Sequence, residues 1–97
     1  MWILQAFGAE TEPLTFRLSP GSIKTIGRSA GAELILDAAL VSRIHCRLEA
    51  NDETLEVVDL ESTNGVYVNG ERVNRAHLIP GDRLKVGRVE LQVGRTE

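Results

Sequence analysis

Short stretches of apolar residues alternate with turn-forming residues along most of the 97-residue chain. Residues 14–18 and 89–93 switch between apolar and polar side chains with a period of two, which is typical of strands with one buried face. The predicted strands are Trp2–Phe7, Leu14–Leu18, Ser22–Ile26, Thr54–Leu60, Val66–Val68, Glu71–Val73, His77–Ile79, Arg83–Gly87 and Val89–Val93. Turn signals recur at roughly ten-residue intervals, the spacing expected of a sandwich or barrel. The pattern predicts an all-β fold that occupies the chain as one domain, residues 1–97.

One segment, residues 34–50, fits two kinds of secondary structure. Two sets of apolar positions compete there: Leu34, Ala38, Val41, Ile44 and Leu48 at helical spacing, and Ile44, Cys46, Leu48 and Ala50 at alternating spacing. Periodicity alone does not decide between a helix and a strand in such a segment. The β pattern on either side favours strands.

The dipeptide Asn69-Gly70 lies between the predicted strands Val66–Val68 and Glu71–Val73. Asn-Gly between two β-type runs is a strong hairpin signal, because a type I′ turn requires positive φ at both of its central residues. The sequence therefore predicts a tight hairpin here, with Asn69 and Gly70 in a structural role.

Length and composition favour a globular binding or interaction module over an enzyme. Apolar residues make up 42% of the chain and charged residues 26%, which is too apolar for a disordered tail. The chain is also far shorter than the roughly 250 residues of a (β/α)₈ barrel. The formal charge is −3 and the basic residues form no run, which argues against nucleic acid as a partner. Nine of the eleven basic residues are arginine, whose planar fork suits bidentate contacts to phosphate or carboxylate.

Neither a membrane segment nor a disulfide framework is predicted. No uninterrupted apolar run exceeds four residues, whereas a membrane-spanning helix needs about 20. The start, Met1–Leu4, lacks the basic region and the cleavage site of a signal peptide. The single cysteine, Cys46, cannot form an internal disulfide. The expected location is a reducing compartment, the cytoplasm.

Three predicted loops carry most of the polar groups that could bind a ligand. They are Gly27-Arg28-Ser29, Ser42-Arg43-Ile44-His45 and Ser62-Thr63-Asn64-Gly65. In a β-sandwich the loops gather at the two ends, so loops from distant parts of the chain can form one site. Several N–H and O–H donors together with guanidinium groups are what a phosphate ligand needs.

With these motifs the chain resembles the forkhead-associated (FHA) domain family. The pattern consists of Gly27-Arg28, then Ser42-Arg43-Ile44-His45, then Thr63-Asn64-Gly65 followed by Asn69-Gly70. Pro80-Gly81-Asp82, before the last two strands, also matches the habit of the family. The resemblance extends over essentially the whole chain. It implies a sandwich of about eleven strands in two sheets that binds phosphothreonine peptides through loops at one end.

The resemblance also implies roles for individual residues. Arg28 would contact the phosphate, and the Ser42 hydroxyl would donate to another phosphate oxygen. Arg43 lies where the family has an additional phosphate or peptide contact, and from its local context it either reaches the phosphate or lies along the surface. Thr63 would form part of the pocket for the phosphothreonine methyl group. Asn64 would hydrogen-bond the peptide backbone.

Three further motif residues have structural roles in the family that the chain resembles. Gly27 and Gly65 would shape the loops, and His45 would hold the loop that carries Ser42. Taken without the resemblance, the ligand-binding candidates also have ordinary interpretations: Arg28 as a solvated surface charge, Ser42 as a turn or capping residue, and Thr63 and Asn64 as part of a turn.

No group of residues predicts an enzyme. His45 and Cys46 are adjacent, but consecutive residues of a strand point to opposite faces and cannot act as a nucleophile with its base. Cys46 is therefore predicted to be a core residue. His77 has no metal-ligand spacing to either of them, and the glycines from Gly21 to Gly31 lack the lysine of a phosphate-binding P-loop. We expect no enzymatic activity, no cofactor and no metal.

The expected function is recognition of a phosphothreonine-containing protein or peptide by a non-enzymatic adaptor in Ser/Thr kinase signalling. Neither nucleic acid nor a membrane is expected as a partner. The alternative is a domain of the same fold that binds unphosphorylated protein, or a second copy of itself, through a sheet face. Thr11 and Thr96 lie near the chain ends. A phosphorylated threonine there could enter the predicted phosphate-binding site of another copy.

Overall fold

Eleven strands account for the regular structure of the residues that the structure describes, and the all-β prediction is confirmed. The computed structural model describes residues 1–7 and 13–96. The strands are β1 (Trp2–Phe7), β2 (Leu14–Leu18), β3 (Ile23–Gly27), β4 (Leu34–Ile35), β5 (Cys46–Ala50), β6 (Leu55–Asp59), β7 (Val66–Val68), β8 (Glu71–Val73), β9 (Arg75–Leu78), β10 (Arg83–Val86) and β11 (Val89–Arg95). Within the described residues there is no helix long and apolar enough to cross a membrane.

The strands form two sheets. One sheet has six strands in the order β2-β1-β11-β10-β7-β8, and the other has five in the order β4-β3-β5-β6-β9. The pairing is antiparallel except between β3 and β4, which run parallel. Because several strands that are neighbours in sequence belong to different sheets, the chain crosses repeatedly from one sheet to the other. Of the three loops that form the candidate site, the one between β6 and β7 crosses between the sheets, and the other two connect strands of the five-stranded sheet.

The core lies between the two sheets and follows directly from the alternation of the strands. Trp2 and Leu4 of β1 point inward, as do Leu84 of β10 and Leu91 of β11, all from the six-stranded sheet. Leu48 and its neighbours supply the five-stranded side of the same core cluster. Alternate residues therefore face solvent, as expected for a strand whose side chains change face at each position.

The segment 34–50 is extended only at its two ends, so the prediction of strands is right for β4 and β5 and wrong between them. Residues 36–45 form an irregular loop whose backbone bonds to β3 and to the residues that follow it. The amide of Leu36 donates to the carbonyl of Gly27, and the amide of His45 donates to that of Ile26, both at 2.8 Å. Ile44, predicted as an alternating core position, is instead 36% exposed. These long-range bonds replace a regular sheet ladder.

The predicted hairpin at Asn69-Gly70 is present. Strands β7 and β8 pair across it, and both turn residues have positive φ, 50° at Asn69 and 87° at Gly70. The side chain of Asn69 also accepts a hydrogen bond from the amide of Arg83 at 3.0 Å, which ties the turn to β10. The local turn preference and the hydrogen bond to β10 therefore stabilise the same conformation at Asn69.

Cys46 is fully buried in the core, and its thiol is expected to be unreactive in the native protein. Burial raises the pKa of the thiol from 9.0 to about 12, and the nearby charge of Asp59 adds to the rise. At pH 8 the folded protein should therefore not react with a disulfide reagent such as DTNB, whereas the denatured protein should react fully. Rapid labelling of the native protein would contradict this.

The raised pKa of Cys46 makes the stability of the protein depend on pH in the alkaline range. A pKa raised in the folded state favours the protonated thiol, so its contribution to stability is complete below about pH 9. That contribution is then lost progressively as the pH rises towards about 12. Denaturation curves measured between pH 8 and pH 11 should show that Cys46→Ala loses less unfolding free energy at alkaline pH than the wild type does.

Candidate functional site

Loops at one end of the sandwich form an open cleft with a volume of about 650 Å³. It is lined by Arg28, Ser29, Gly31, Ser42, Arg43, Ile44, Glu61 and Thr63. A smaller hollow of about 290 Å³ shares Arg28, Ser42 and Thr63 and is completed by Ala39, Leu40, Val41 and Asn64. The cleft thus brings together side chains from the three loops that the sequence singled out.

Arg28 is the first residue after β3, and its position is set by two bonds to the loop before β5. Its amide donates to the carbonyl of Ser42 at 3.0 Å, and its Nε donates to the carbonyl of Val41 at 3.1 Å. The bond from Nε therefore orients the guanidinium, and the two Nη groups are available to a ligand in the cleft. This arrangement preorganises the positive charge.

Ser42 has a hydroxyl that is engaged as an acceptor and still free to donate. The amide of Thr63 donates to Ser42 Oγ at 3.1 Å, across two different loops. A serine hydroxyl has one donor as well as its acceptor lone pairs, so the O–H proton is still able to bond an anionic oxygen. The bond also brings Thr63 to the same cleft.

His45 joins two of the loops from behind the cleft. It is fully buried, and its Nδ1 lies 3.0 Å from the amide nitrogen of Ser42, while its Nε2 lies 2.8 Å from the carbonyl oxygen of Gly65. An amide can only donate and a carbonyl can only accept, so the proton must be on Nε2. His45 is therefore the neutral Nε2–H tautomer, and neither of its ring nitrogens bonds Cys46.

Gly27 allows the loop before β5 to lie directly on the end of β3. A Cβ atom at this position would come within 2.0 Å of the carbonyl oxygen of Arg43 and 2.9 Å of the Cα of Ile44, both of which belong to the backbone. Neither atom can move without moving the loop. Glycine is therefore required at position 27, because the backbone of Arg43 and Ile44 lies against it. This packing places Ser42 and Arg43 beside Arg28.

The loop between β6 and β7 is held by its own side chains. The amide of Ser62 donates to Oδ1 of Asp59 at 3.1 Å, and the amide of Gly65 donates to Oγ of Ser62 at 2.9 Å. Gly65 has a φ of +83°, and a Cβ there would lie 2.7 Å from Nε of Arg72. The conformation that presents Thr63 and Asn64 thus depends on a residue without a side chain.

Asn64 connects this loop to the rim of the smaller hollow. Its Nδ2 donates to the carbonyl of Leu40 at 3.0 Å, which uses one of the two amide protons. The side-chain carbonyl and the second proton are still available for a peptide backbone. Leu40 itself has a φ of 68° and is 45% exposed.

Arg43 contributes its backbone to the structure and its side chain to the cleft. Its carbonyl oxygen accepts a hydrogen bond from the amide of Ser29 at 3.2 Å. Its exposed side chain lines the larger cleft with Arg28. Two guanidinium groups and one carboxylate, that of Glu61, therefore lie around the same volume.

Comparison with known proteins identifies the family. The FHA domain model matches residues 24–87, which include every loop of the cleft. The chain belongs to the FHA domain family.

Several relatives of this FHA domain are known. The oxoglutarate dehydrogenase inhibitor of Corynebacterium efficiens is 40% identical over 67 residues, 69% of this chain and 47% of that protein. The glycogen accumulation regulator GarA of Mycobacterium tuberculosis is 37% identical over 70 residues, 72% of this chain and 43% of that protein. The chain therefore spans less than half the length of these two relatives. A structure from a study of phosphothreonine-dependent FHA domain interactions has a TM-score of 0.88 at 30% identity, covering 99% of this chain and 97% of that one.

The FHA domain brings together most of the residues that the sequence singled out, and separates one pair from them. Arg28, Ser42, Arg43 and Thr63 line the larger cleft, and Asn64 lines the smaller one. Gly27, His45 and Gly65 lie beneath the loops. Asn69 and Gly70 line a separate hollow with Arg83, Lys85 and Glu90.

One residue on the rim of the larger cleft, Glu61, was not found from the sequence. Glu61 lines the larger cleft and Leu40 the smaller hollow, and both are non-glycine residues with positive φ, 57° and 68°. An acidic or aliphatic residue carries no signal for such a backbone conformation, because its usual φ is negative. Only the position of Glu61, directly before the Ser62-Thr63-Asn64-Gly65 loop, could have drawn attention to it.

Proposed function

We propose that this FHA domain recognises proteins or peptides that contain phosphothreonine, and that it acts as a non-enzymatic module in Ser/Thr kinase signalling. The observation that carries the proposal is the convergence of Arg28, Arg43 and the donor hydroxyl of Ser42 on one cleft. The similar structure from a study of phosphothreonine-dependent FHA domain interactions supports it. The relatives described as a regulator and an inhibitor are consistent with a module that controls other proteins.

The phosphate would be bound by charge-assisted hydrogen bonds. Arg28 would donate through its Nη groups, Ser42 through its hydroxyl, and Arg43 from the other side of the cleft. Each such bond contributes roughly 1.5–3 kcal/mol. Two or three of them account for much of the approximately 8 kcal/mol of a micromolar complex.

Thr63 and Asn64 would recognise the rest of the phosphorylated residue and its backbone. Thr63 would pack against the phosphothreonine methyl group, and Asn64 would bond the peptide chain with its remaining amide groups. One buried methyl group is worth about 0.8 kcal/mol, which corresponds to about a fourfold preference for phosphothreonine over phosphoserine from this contact alone.

Calorimetry with matched peptides tests the proposal. A phosphothreonine peptide library is compared with unphosphorylated and phosphoserine versions of the same sequences. Binding should require the phosphate and weaken with added salt, because the positive field of the cleft is local in a chain of net charge −3. If no phosphothreonine peptide binds, or if the unphosphorylated peptide binds equally well, the proposal is wrong.

The alternative is a phosphate-independent contact through a sheet face. The cleft argues against it, because that mode would not use Arg28, Ser42 or Asn64. In a pull-down of partner proteins, phosphatase treatment of the partner would leave a sheet-face contact unchanged, whereas it would abolish binding through the cleft.

A second copy of this chain, phosphorylated at Thr11 or Thr96, would be a partner of the same chemistry. Thr11 lies outside the described residues. Thr96 follows β11, which begins at Val89 on the cleft side, next to Val86 and Val66, and then runs the length of the sheet, about 20 Å. A phosphate on Thr96 would therefore reach the cleft of a second copy and not its own, and mass spectrometry with sizing after kinase treatment would detect the pair.

We also propose that residues 1–97 fold as one domain in a reducing compartment such as the cytoplasm. One core cluster with residues from both sheets supports the first point. The free, buried Cys46 supports the second, since a thiol in this state needs no oxidising environment.

A further inference from the structure

Glu61 places a negative charge inside a cleft whose other charged groups are positive. Glu61 is one of the residues that line the same volume as Arg28 and Arg43. Among the described residues the ion pairs involve other carboxylates, those of Glu33, Glu49 and Glu56. The carboxylate of Glu61 is thus left exposed to whatever ligand enters the cleft.

The backbone at Glu61 is held in a conformation that its side chain does not favour. Its φ is +57°, in the left-handed region, where an L-residue with a Cβ is under strain. The loop is kept in this shape by the Asp59, Ser62 and Gly65 bonds on either side. The strain is therefore a fixed property of the loop, and the residue that bears it is an acidic one that lines the cleft.

A phosphate in this cleft changes the electrostatic situation of Glu61. The phosphate would take up the two guanidinium groups and would repel the carboxylate, because like charges at short range are unfavourable. A ligand that carries its own cation next to the phosphothreonine removes this penalty by pairing with Glu61. A ligand with neutral or acidic neighbours does not.

We propose that Glu61 is a specificity-determining residue, which selects phosphothreonine ligands that carry an arginine or lysine close to the phosphorylated residue. The inference rests on the proposed function and adds the chemistry of the flanking sequence to it. An exposed ion pair of this kind favours the basic ligand by about two- to fivefold.

The experiment measures the affinity of one phosphothreonine peptide with neutral flanks and of two series in which a single arginine or a single glutamate is moved through the three positions on each side. The variants are Glu61→Gln, Glu61→Lys and Glu61→Gly, the last of which also relieves the positive φ. Glu53→Gln is the matched control, because Glu53 is an exposed carboxylate in the loop between β5 and β6, away from the cleft.

For the wild type we expect an arginine at one or two adjacent positions to tighten binding by about two- to fivefold. The advantage should disappear in Glu61→Gln and Glu61→Gly, and Glu61→Lys should reverse it in favour of a glutamate-containing peptide. The neutral peptide should bind Glu61→Gln more tightly than wild type, since the repulsion is gone. Glu53→Gln should keep the wild-type preference.

The outcomes separate the two proposals. If no phosphothreonine peptide binds the wild type, the proposed function itself fails. If phosphopeptides bind but arginine gives no advantage at any position, or the advantage persists in Glu61→Gln, the role of Glu61 is wrong and the function stands. Thermal unfolding of Glu61→Gly separates two causes of a change in binding. Unchanged or higher stability indicates that the lost charge is responsible, because relief of strain should not lower stability. Lower stability indicates an altered loop.

Discussion

Replacement of Arg28 by alanine is expected to weaken phosphothreonine-peptide binding by at least about 100-fold, because two charge-assisted bonds to the phosphate are lost. Arg28→Lys should recover only part of this loss, since a lysine keeps the charge but not the planar fork. Titration calorimetry or fluorescence polarisation at fixed ionic strength measures the difference. The salt dependence of binding should also become shallower in Arg28→Ala.

Arg28 also has a structural bond, from its Nε to the carbonyl of Val41. Thermal unfolding of Arg28→Ala therefore belongs beside the binding measurement, and we expect a change of no more than about 1–2 kcal/mol for one partly buried hydrogen bond. The control variant is Arg17→Ala, because Arg17 is an exposed arginine of β2 whose loss leaves the cleft intact. Equal binding by Arg28→Ala and wild type would exclude the cleft as the phosphate site.

Replacement of His45 by alanine is expected to lower the free energy of unfolding by about 3–5 kcal/mol. The change leaves a cavity and two buried backbone groups, the amide of Ser42 and the carbonyl of Gly65, without their partner. Phosphopeptide affinity should fall as well, because His45 holds together the loops that carry Ser42 and Thr63. Urea denaturation followed by tryptophan fluorescence measures the stability, since Trp2 lies in the core.

His77→Ala is the matched control for this prediction. Its side chain is 69% exposed and contacts Glu56 at 3.3 Å, so its loss should change stability by less than about 1 kcal/mol. If His45→Ala were as stable as His77→Ala, the bridge between the two loops would not contribute to the fold.

Most strands could be predicted because the signal for each of them lies within its own residues and the adjacent turns. Leu14–Leu18, Val66–Val68 and Glu71–Val73 have the same bounds in the prediction and in the structure. The first is an apolar alternation and the second a run with two valines, whereas Glu71–Val73 is placed by the Asn69-Gly70 turn before it. The strand predicted at His77–Ile79 instead runs from Arg75 to Leu78, because its register is set by pairing with β6.

The segment 36–45 could not be predicted in this way. Its apolar residues Leu36, Ala38 and Val41 are anchored in the core, but the backbone between them follows no single period. Its shape is set by bonds to residues far away in sequence, such as that between Leu40 and Asn64. A pattern within a short window contains no information about partners more than 20 residues away.

The sequence by itself determined the all-β fold, the turn at Asn69-Gly70 and the residue types from which a phosphate site could be built, because periodicity, turn chemistry and side-chain donors are properties of short segments. Only the tertiary structure decided that Arg28, Ser42, Arg43 and Thr63 line one cleft. It also decided which proton His45 carries and that Glu61 shares the cleft. These features depend on distances between loops, and loop positions are set by packing and long-range hydrogen bonds that no single segment encodes.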